Sequence, residues 1–252
     1  MKFKIYTECN PGEKKDGCDH RFTSQEYSAL VSEQKNAAYS SREGIIREFL
    51  SKNSRKLIAL DYLIEHIQMR NYRNILSLGA GACVIEYLLS CALPEKTHIV
   101  ATDFNEFYIN KSRIFFPEII SEKFDFYFDN IGQLSKTTGI QFDCAFFLGS
   151  AYVLDDNEYN GILNQLKDSG VESIIDFSPA LVPYSQVPVT VLGEIKNSVT
   201  KTFRGKFHGY SRTKNDMRYI YKKTGLIIEK EFHLGPYNYV ALLKNPNALQ
   251  KE

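Results

Sequence analysis

Hydrophobic positions along this 252-residue chain change their spacing near residue 70. From Ser24 to about Gln68 they recur every three or four residues, at Ile45, Ile46, Phe49 and Leu50 and then at Leu57, Leu60, Leu63 and Ile64. That period predicts amphipathic helices. Further on, short apolar runs alternate with helix-compatible segments, and strands are predicted at Ile75–Leu78, His98–Thr102, Phe124–Phe128, Cys144–Leu148 and Ser173–Phe177. Strands alternating with helices imply right-handed crossovers and a mainly parallel sheet with helices on both faces, an α/β fold. Between Pro179 and about Thr213, prolines and glycines break the rhythm, which predicts an insertion with little regular structure. A helix is then expected over Asn215–Thr224, stopped by Gly225. "LIIEKEF" and "YNYVALLK" follow, joined so closely by a Gly-Pro turn that they must pair antiparallel. The organisation expected is an N-terminal helical extension over residues 1–70, serving as a lid, and one α/β domain over 71–252 with an insertion at about 179–213.

Composition adds a few limits. Apolar residues make up 43% of the chain, enough for a sizeable core. The apolar runs near the termini fall short of the roughly 18 residues that span a membrane, and Met1 to Tyr6 lacks the apolar centre of a secretion signal, so a soluble, cytoplasmic protein is expected. Five cysteines, Cys9, Cys18, Cys83, Cys91 and Cys144, are an odd number without such a signal, which points to reduced thiols. Cys9, Cys18 and His20 match no zinc spacing and lack a fourth ligand, so no metal is expected. The net charge of +1 carries no information about partners.

The chemistry begins at "NILSLGAGACVIEYLLSCALP", Asn74 to Pro94. Gly79 and Gly81 stand where a strand hands over to a helix starting near Ala82, whose Ile85, Leu88, Leu89 and Ala92 are expected to form its buried stripe. Glycines there admit unusual backbone angles and bring a ligand to near contact. Twenty residues after Cys83, Asp103 ends the second strand, the place from which an acid accepts hydrogen bonds from ribose hydroxyls. A nicotinamide cofactor is disfavoured, because Val84 occupies the place of the third glycine that packs beside a pyrophosphate.

From about Asn74 to Lys244 the chain resembles the class I S-adenosylmethionine-dependent methyltransferases. That family's acid, hydrophobe and G-x-G-x-G motif lands on Ser77, Leu78, Gly79, Ala80, Gly81, Ala82 and Cys83, with Ser77 in place of the acid and Cys83 in place of the last glycine. The resemblance implies that Ser77, Gly79, Ala80 and Gly81 approach the cofactor, that Asp103 holds its ribose, and that Phe104 lies beside the adenine. It implies further that Asp129 and Asn130 in "FYFDNI" meet the adenine amino group, with Ile131 as an apolar wall, that Leu148 also borders the cofactor, and that "FDCAFFLGSAYVL" opens the acceptor site. Asp143 is read as structural. "LKDSGVESIID" matches the next helix, turn and strand, and the closing hairpin matches strands six and seven of a seven-stranded sheet.

The implied reaction is in-line attack on a sulfonium methyl, where positioning supplies much of the rate and a base serves only a nucleophile that must lose a proton. "LGSAY" lacks the Asn/Asp-Pro-Pro-aromatic motif of amino-methylating nucleic-acid enzymes, and no set of metal-binding acids is evident. Tyr152 is expected near the acceptor, and Tyr39 and Arg42 are candidates for a lid. In "KTFRGKFHGYSRTKNDMRYIYKK", Lys201 to Lys223, eight Lys and Arg face the single acid Asp216 among interleaved aromatics. This predicts an anionic acceptor held by Arg204 or Arg212, with His208 as base for a hydroxyl and Tyr210 beside it. The acceptor class read here is a small molecule or glycan; methylation of RNA or protein, or non-catalytic cofactor binding, are the alternatives.

Overall fold

The computed structural model describes residues 2–7, 23–178, 181–192, 206–235 and 237–248. The chain begins with a strand, β1 (Lys2–Thr7), and a helical layer follows: α1 (Ser24–Lys35), α2 (Arg42–Asn53) and α3 (Leu57–Arg70). Then come β2 (Asn74–Leu78), α4 (Val84–Ala92), β3 (His98–Asp103), α5 (Glu106–Phe115), β4 (Ile120–Lys123), α6 (Ile131–Thr138), β5 (Cys144–Leu148), α7 (Asp156–Asp168) and β6 (Ser173–Ser178). The chain closes with β7 (Lys206–Arg212), α8 (Lys214–Thr224), β8 (Ile227–Leu234) and β9 (Tyr237–Lys244). Helix ends follow local chemistry: Thr23, Asp155 and Thr213 form capping boxes with Glu26, Glu158 and Asp216, and Gly225 terminates α8 at φ 75°.

Seven strands form one sheet in the order β4-β3-β2-β5-β6-β9-β8. The first five are parallel, and β9 runs antiparallel between β6 and β8. Alternate residues divide the core. Ile75, Ile99, Cys144, Phe146 and Ile175 pack under α2, α3 and α4, whereas Leu76, Val100, Ala145, Phe147 and Ile174 pack under α6, α7 and α8. Because both faces are covered, β5 and β6 are buried throughout, as a central parallel strand requires. The strand order reverses between β2 and β5, so the crevice for a ligand opens at their carboxyl ends. No described helix is long and apolar enough to cross a membrane.

Three local expectations are corrected. The fourth strand lies at Ile120–Lys123 and not at Phe124–Phe128. There the Asp125 carboxylate accepts from the Tyr127 amide and that of Asp129 from the Asp125 amide, so turn chemistry outweighs the strand preference of the aromatics and leaves Phe128 exposed. The insertion is not irregular throughout, because β7 pairs antiparallel with β1, across some 200 residues of sequence that no local pattern spans. In α4 the buried set is Val84, Ile85, Glu86 and Leu89, and Ala92 is exposed. The helix starts at Val84, two residues later than expected, because Cys83 adopts the left-handed conformation at φ 57°.

Candidate active site

The turn after β2 is built around its own amides. Gly79 and Ala80 both donate to the Thr102 carbonyl, at 2.9 and 2.8 Å, and the Gly81 amide donates to Asp103 Oδ2 at 2.8 Å. The two glycines serve different purposes. A Cβ on Gly79 would sit 2.4 Å from Ser150 Cβ, so its absence lets the loop after β5 close on the loop after β2. A Cβ on Gly81 would meet nothing within 4 Å, so this residue, at φ 62°, borders open space.

Asp103 is tied to that space through the Gly81 amide it accepts. Its Oδ1 accepts the Asn105 amide at 2.9 Å, and each carboxylate oxygen retains a lone pair for a ligand hydroxyl. Burial raises its pKa to about 6, against the pull of the Asn105 and Gly81 amides and of Lys56. Helix α1 packs on the residues that follow Asp103. Ser24 Oγ donates to the Phe104 carbonyl at 2.5 Å, Ser28 Oγ to Asn105 Oδ1 at 2.6 Å, and the Tyr27 ring stacks on Phe104 at 5.4 Å and 17°. Tyr39 and Arg42, expected as a lid, lie elsewhere. Tyr39 is buried against Phe107 and Tyr108, and Arg42 ties α2 to the end of α5 through the Phe115 carbonyl and Glu118.

The side chains of Asp129 and Asn130 are exposed and engaged locally, Asp129 on the Asp125 amide and Asn130 as the cap of α6 on Gln133. Ile131 and Leu148 are buried in the core. Asp143 accepts the Arg73 and Asn74 amides, at the sheet edge opposite the crevice.

A 3-10 turn follows β5, and β7 lies directly on it. A Cβ on Gly209 would come within 2.6 Å of the Tyr152 carbonyl oxygen, so only glycine permits this approach. The result is a narrow cleft with about 10 Å³ of free volume, bordered by Tyr152, Tyr159, Ser178, Tyr210, Arg212 and Met217. Tyr152 and Tyr210 are thus brought together; His208 lies on the same strand, with its side chain outside the described residues. Burial raises the Tyr152 hydroxyl to about 12, with Tyr27 adding to the shift. Arg212 is buried, donating to Asp156 Oδ1 at 2.9 Å and to the Leu154 carbonyl at 2.5 Å. Arg204, the other candidate for an anion, lies outside the described residues, as do Cys9, Cys18 and His20. Lys214 and Arg218 both pair with Glu231, so acids distant in sequence neutralise part of the basic stretch.

Three buried ionisable groups were not expected: Glu86, Asp176 and the half-buried Lys56. Two carried a signal, a lone acid inside an apolar helix and a lone acid inside "SIIDFS". Ser77 does not face the site alone; its Oγ donates to Glu86 Oε1 at 2.6 Å. Burial raises Glu86 to about 7, opposed by Ser77, by its own backbone amide and by Lys56, while Asp103 adds to the rise. A carboxyl raised in the folded state contributes stability that is complete below its unfolded pKa and is lost as pH climbs through the folded one. For Glu86 that window runs from 4.5 to about 7, and for Asp103 from 3.8 to about 6. Wild-type protein is therefore expected to lose more thermal stability than Glu86→Gln between about pH 5 and pH 8. Buried His66, whose pKa is lowered, acts the opposite way in both proteins and cancels in the difference. Parallel melting curves of equal slope would contradict this.

Cys83 is wholly buried, its thiol pushed far above the ordinary range by burial, so it is packed and unreactive. Cys83→Gly relieves a left-handed residue by about 1 kcal/mol and loses a buried side chain of similar worth. We expect folding and cofactor binding close to wild type; loss of turnover with binding intact would assign the thiol a chemical role.

No protein-family model matches the sequence, and no curated protein sequence does. Solved structures match most of the chain. Human N-acetylserotonin methyltransferase in complex with S-adenosylmethionine is similar over 90% of this chain, at 14% identity and a TM-score of 0.54; the chain spans 63% of it, less than two thirds. Magnesium protoporphyrin IX methyltransferase from Synechocystis, with bound S-adenosylhomocysteine, is similar over 87% of this chain and 95% of its own, at 15% identity and a TM-score of 0.56. An O-methyltransferase family protein from Burkholderia thailandensis is similar over 89% of this chain and 63% of its own, at 12% identity and a TM-score of 0.56. What identities of this order share is the architecture: the chain has the class I methyltransferase fold.

Proposed function

We propose that the protein is a methyltransferase that uses S-adenosylmethionine to methylate a small-molecule acceptor. The observation that carries this reading is the state of the glycine turn. The amides of Gly79, Ala80 and Gly81 are all engaged by Thr102 and Asp103, so the turn meets its ligand with a carboxylate and an open gap. A pyrophosphate needs free amides at such a turn, whereas an adenosyl sulfonium carries no phosphate. The residues fit the group: Asp103 accepts the ribose hydroxyls, and Phe104 with Tyr27 offers aromatic faces to the adenine.

S-adenosylmethionine, when bound, supplies an activated methyl on a cationic sulfur. The chain's task is then to align an acceptor atom and to keep water away. Tyr152, in the 3-10 turn after β5, borders the cleft it shares with Tyr210 and Arg212. The aromatic lining of that cleft favours an acceptor with an aromatic portion, because Arg212 is already paired with Asp156. The pairing of Lys214 and Arg218 with Glu231 leaves a weaker basic surface than the sequence count suggests, which favours a small acceptor over RNA. For a hydroxyl acceptor, His208 is the base. His208→Asn should lower turnover by about 10²-fold or more and leave cofactor affinity unchanged; an unchanged rate would remove it.

The test of the function is transfer of a labelled methyl group to panels of phenols, hydroxy acids and sugar nucleotides, with structured RNA and basic proteins as comparators. Label in a small acceptor is expected. Label only in RNA or protein would overturn the acceptor class. Tight S-adenosylhomocysteine binding with no transfer to any panel would favour a non-catalytic binder.

A further inference from the structure

We propose that Glu86 and Lys56 hold the amino-acid end of the adenosyl ligand, its α-ammonium on Glu86 and its α-carboxylate on Lys56. The inference rests on the S-adenosylmethionine reading and states where the methionine portion lies.

The argument starts from what β2 lacks. Ser77, next to the end of the strand, carries no charge and cannot pair with a cation. Its hydroxyl instead donates to Glu86 Oε1 at 2.6 Å, which fixes a carboxylate from the first turn of α4 beside the strand end. Glu86 is 1% exposed, and its other oxygen, Oε2, has no hydrogen-bond partner among the described residues. A buried carboxylate oxygen without a donor is costly, and such groups mark places completed by something else.

Lys56 is the N-cap residue of α3, the helix packed against α4. Glu86 and Asp103 both hold up its pKa against burial, yet it forms no ion pair within 4.0 Å with a described acid. The same three groups influence one another throughout: Asp103 and Lys56 act on Glu86, and Glu86 and Asp103 on the Cys83 thiol. Asp103 holds the Gly81 amide and Glu86 the Ser77 hydroxyl on either side of the open turn, and with Lys56 the three groups carry a formal charge of −1 when all are ionised. S-adenosylmethionine, with a sulfonium, an ammonium and a carboxylate, carries +1 and supplies each missing partner. The ammonium gives Oε2 its donor, and the carboxylate gives Lys56 its acceptor. In this arrangement the acid has moved from the strand to the helix, and Ser77 positions it.

The test separates the two ends of the ligand. S-adenosylhomocysteine and 5′-methylthioadenosine share the adenosyl group, and only the first has the amino-acid end. Both are titrated calorimetrically into wild type, Glu86→Gln and Lys56→Met. Each variant is expected to lose about 10-fold or more in affinity for S-adenosylhomocysteine, the loss of one charged hydrogen bond, and to bind 5′-methylthioadenosine within about 2-fold of wild type. Retained 5′-methylthioadenosine binding also reports that the variant is folded. Should Glu86→Gln fail to fold, Lys56→Met decides alone. Unchanged S-adenosylhomocysteine affinity, or equal losses for both ligands, would overturn the proposal. Wild type binding neither ligand would overturn the cofactor reading, and this inference with it.

Discussion

Asp103→Ala should weaken S-adenosylhomocysteine binding by about 2–4 kcal/mol, some 30- to 1,000-fold, through the loss of charge-assisted hydrogen bonds to the ribose. The structure adds a second route to the same loss. Asp103 receives the amides of Gly81 and Asn105, so its removal also frees the glycine turn and the start of the segment that presents Phe104. Asp103→Asn separates the routes, because its side-chain oxygen can still accept one amide while its charge is gone. We expect it to fall between wild type and Asp103→Ala. Folding stability should change far less than affinity, since the cost of the buried charge disappears together with the two hydrogen bonds. Calorimetric titration beside thermal melting checks both statements. Affinity within about threefold of wild type for the Ala variant would remove Asp103 from the ribose site.

The parallel core was legible because it obeys local rules. Asn74–Leu78, Cys144–Leu148 and Ser173–Ser178 are short β-prone runs bounded by turn residues, and the structure moves their ends by at most a residue. The closing hairpin followed from the length of its turn alone. What escaped was non-local. The pairing of β1 with β7 joins opposite ends of the chain, and the alternation in "KFKIYT" could be read as a strand only with its partner in view. The basic stretch looked like an anion site because Glu231 and Asp156, which neutralise part of it, come from other elements.

Within the candidate site, residues tied to a turn or strand end were legible and those arriving from a helix face were not. Gly79, Gly81 and Asp103 stand where backbone geometry demands them. Tyr27 on Phe104 and Glu86 on Ser77 come from the faces of α1 and α4, and periodicity assigns a helix a buried face without saying what that face meets. Glu86 was the more readable of the two, since a charge inside an apolar helix breaks its own pattern. Ser77, taken alone, looked like a defect in the motif; beside Glu86 it is half of a hydrogen-bonded pair.

Asp176→Ala should cost about 3 kcal/mol or more of folding stability and leave S-adenosylhomocysteine affinity unchanged. Asp176 is wholly buried in the middle of β6, on the face covered by α7 and α8, and one of its oxygens accepts both the Tyr159 hydroxyl at 2.5 Å and the Tyr221 hydroxyl at 2.6 Å. Burial raises its pKa, against the stabilising pull of those hydroxyls and of Arg212. Alanine removes the acceptor and strands two buried donors at about 1–3 kcal/mol each, which outweighs the relief of desolvating one carboxylate. Asp176→Asn retains an acceptor oxygen and should cost only about 1 kcal/mol. The pair also decides what the cluster is for, because Tyr159 and Arg212 line the cleft beside Tyr152 while Asp176 is bonded to Tyr159 from the core side. If Asp176 only positions them, Asp176→Asn keeps most of the turnover and raises the acceptor KM. If turnover collapses in Asp176→Asn while melting and cofactor affinity stay near wild type, the carboxylate itself takes the acceptor's proton, and His208 loses that role.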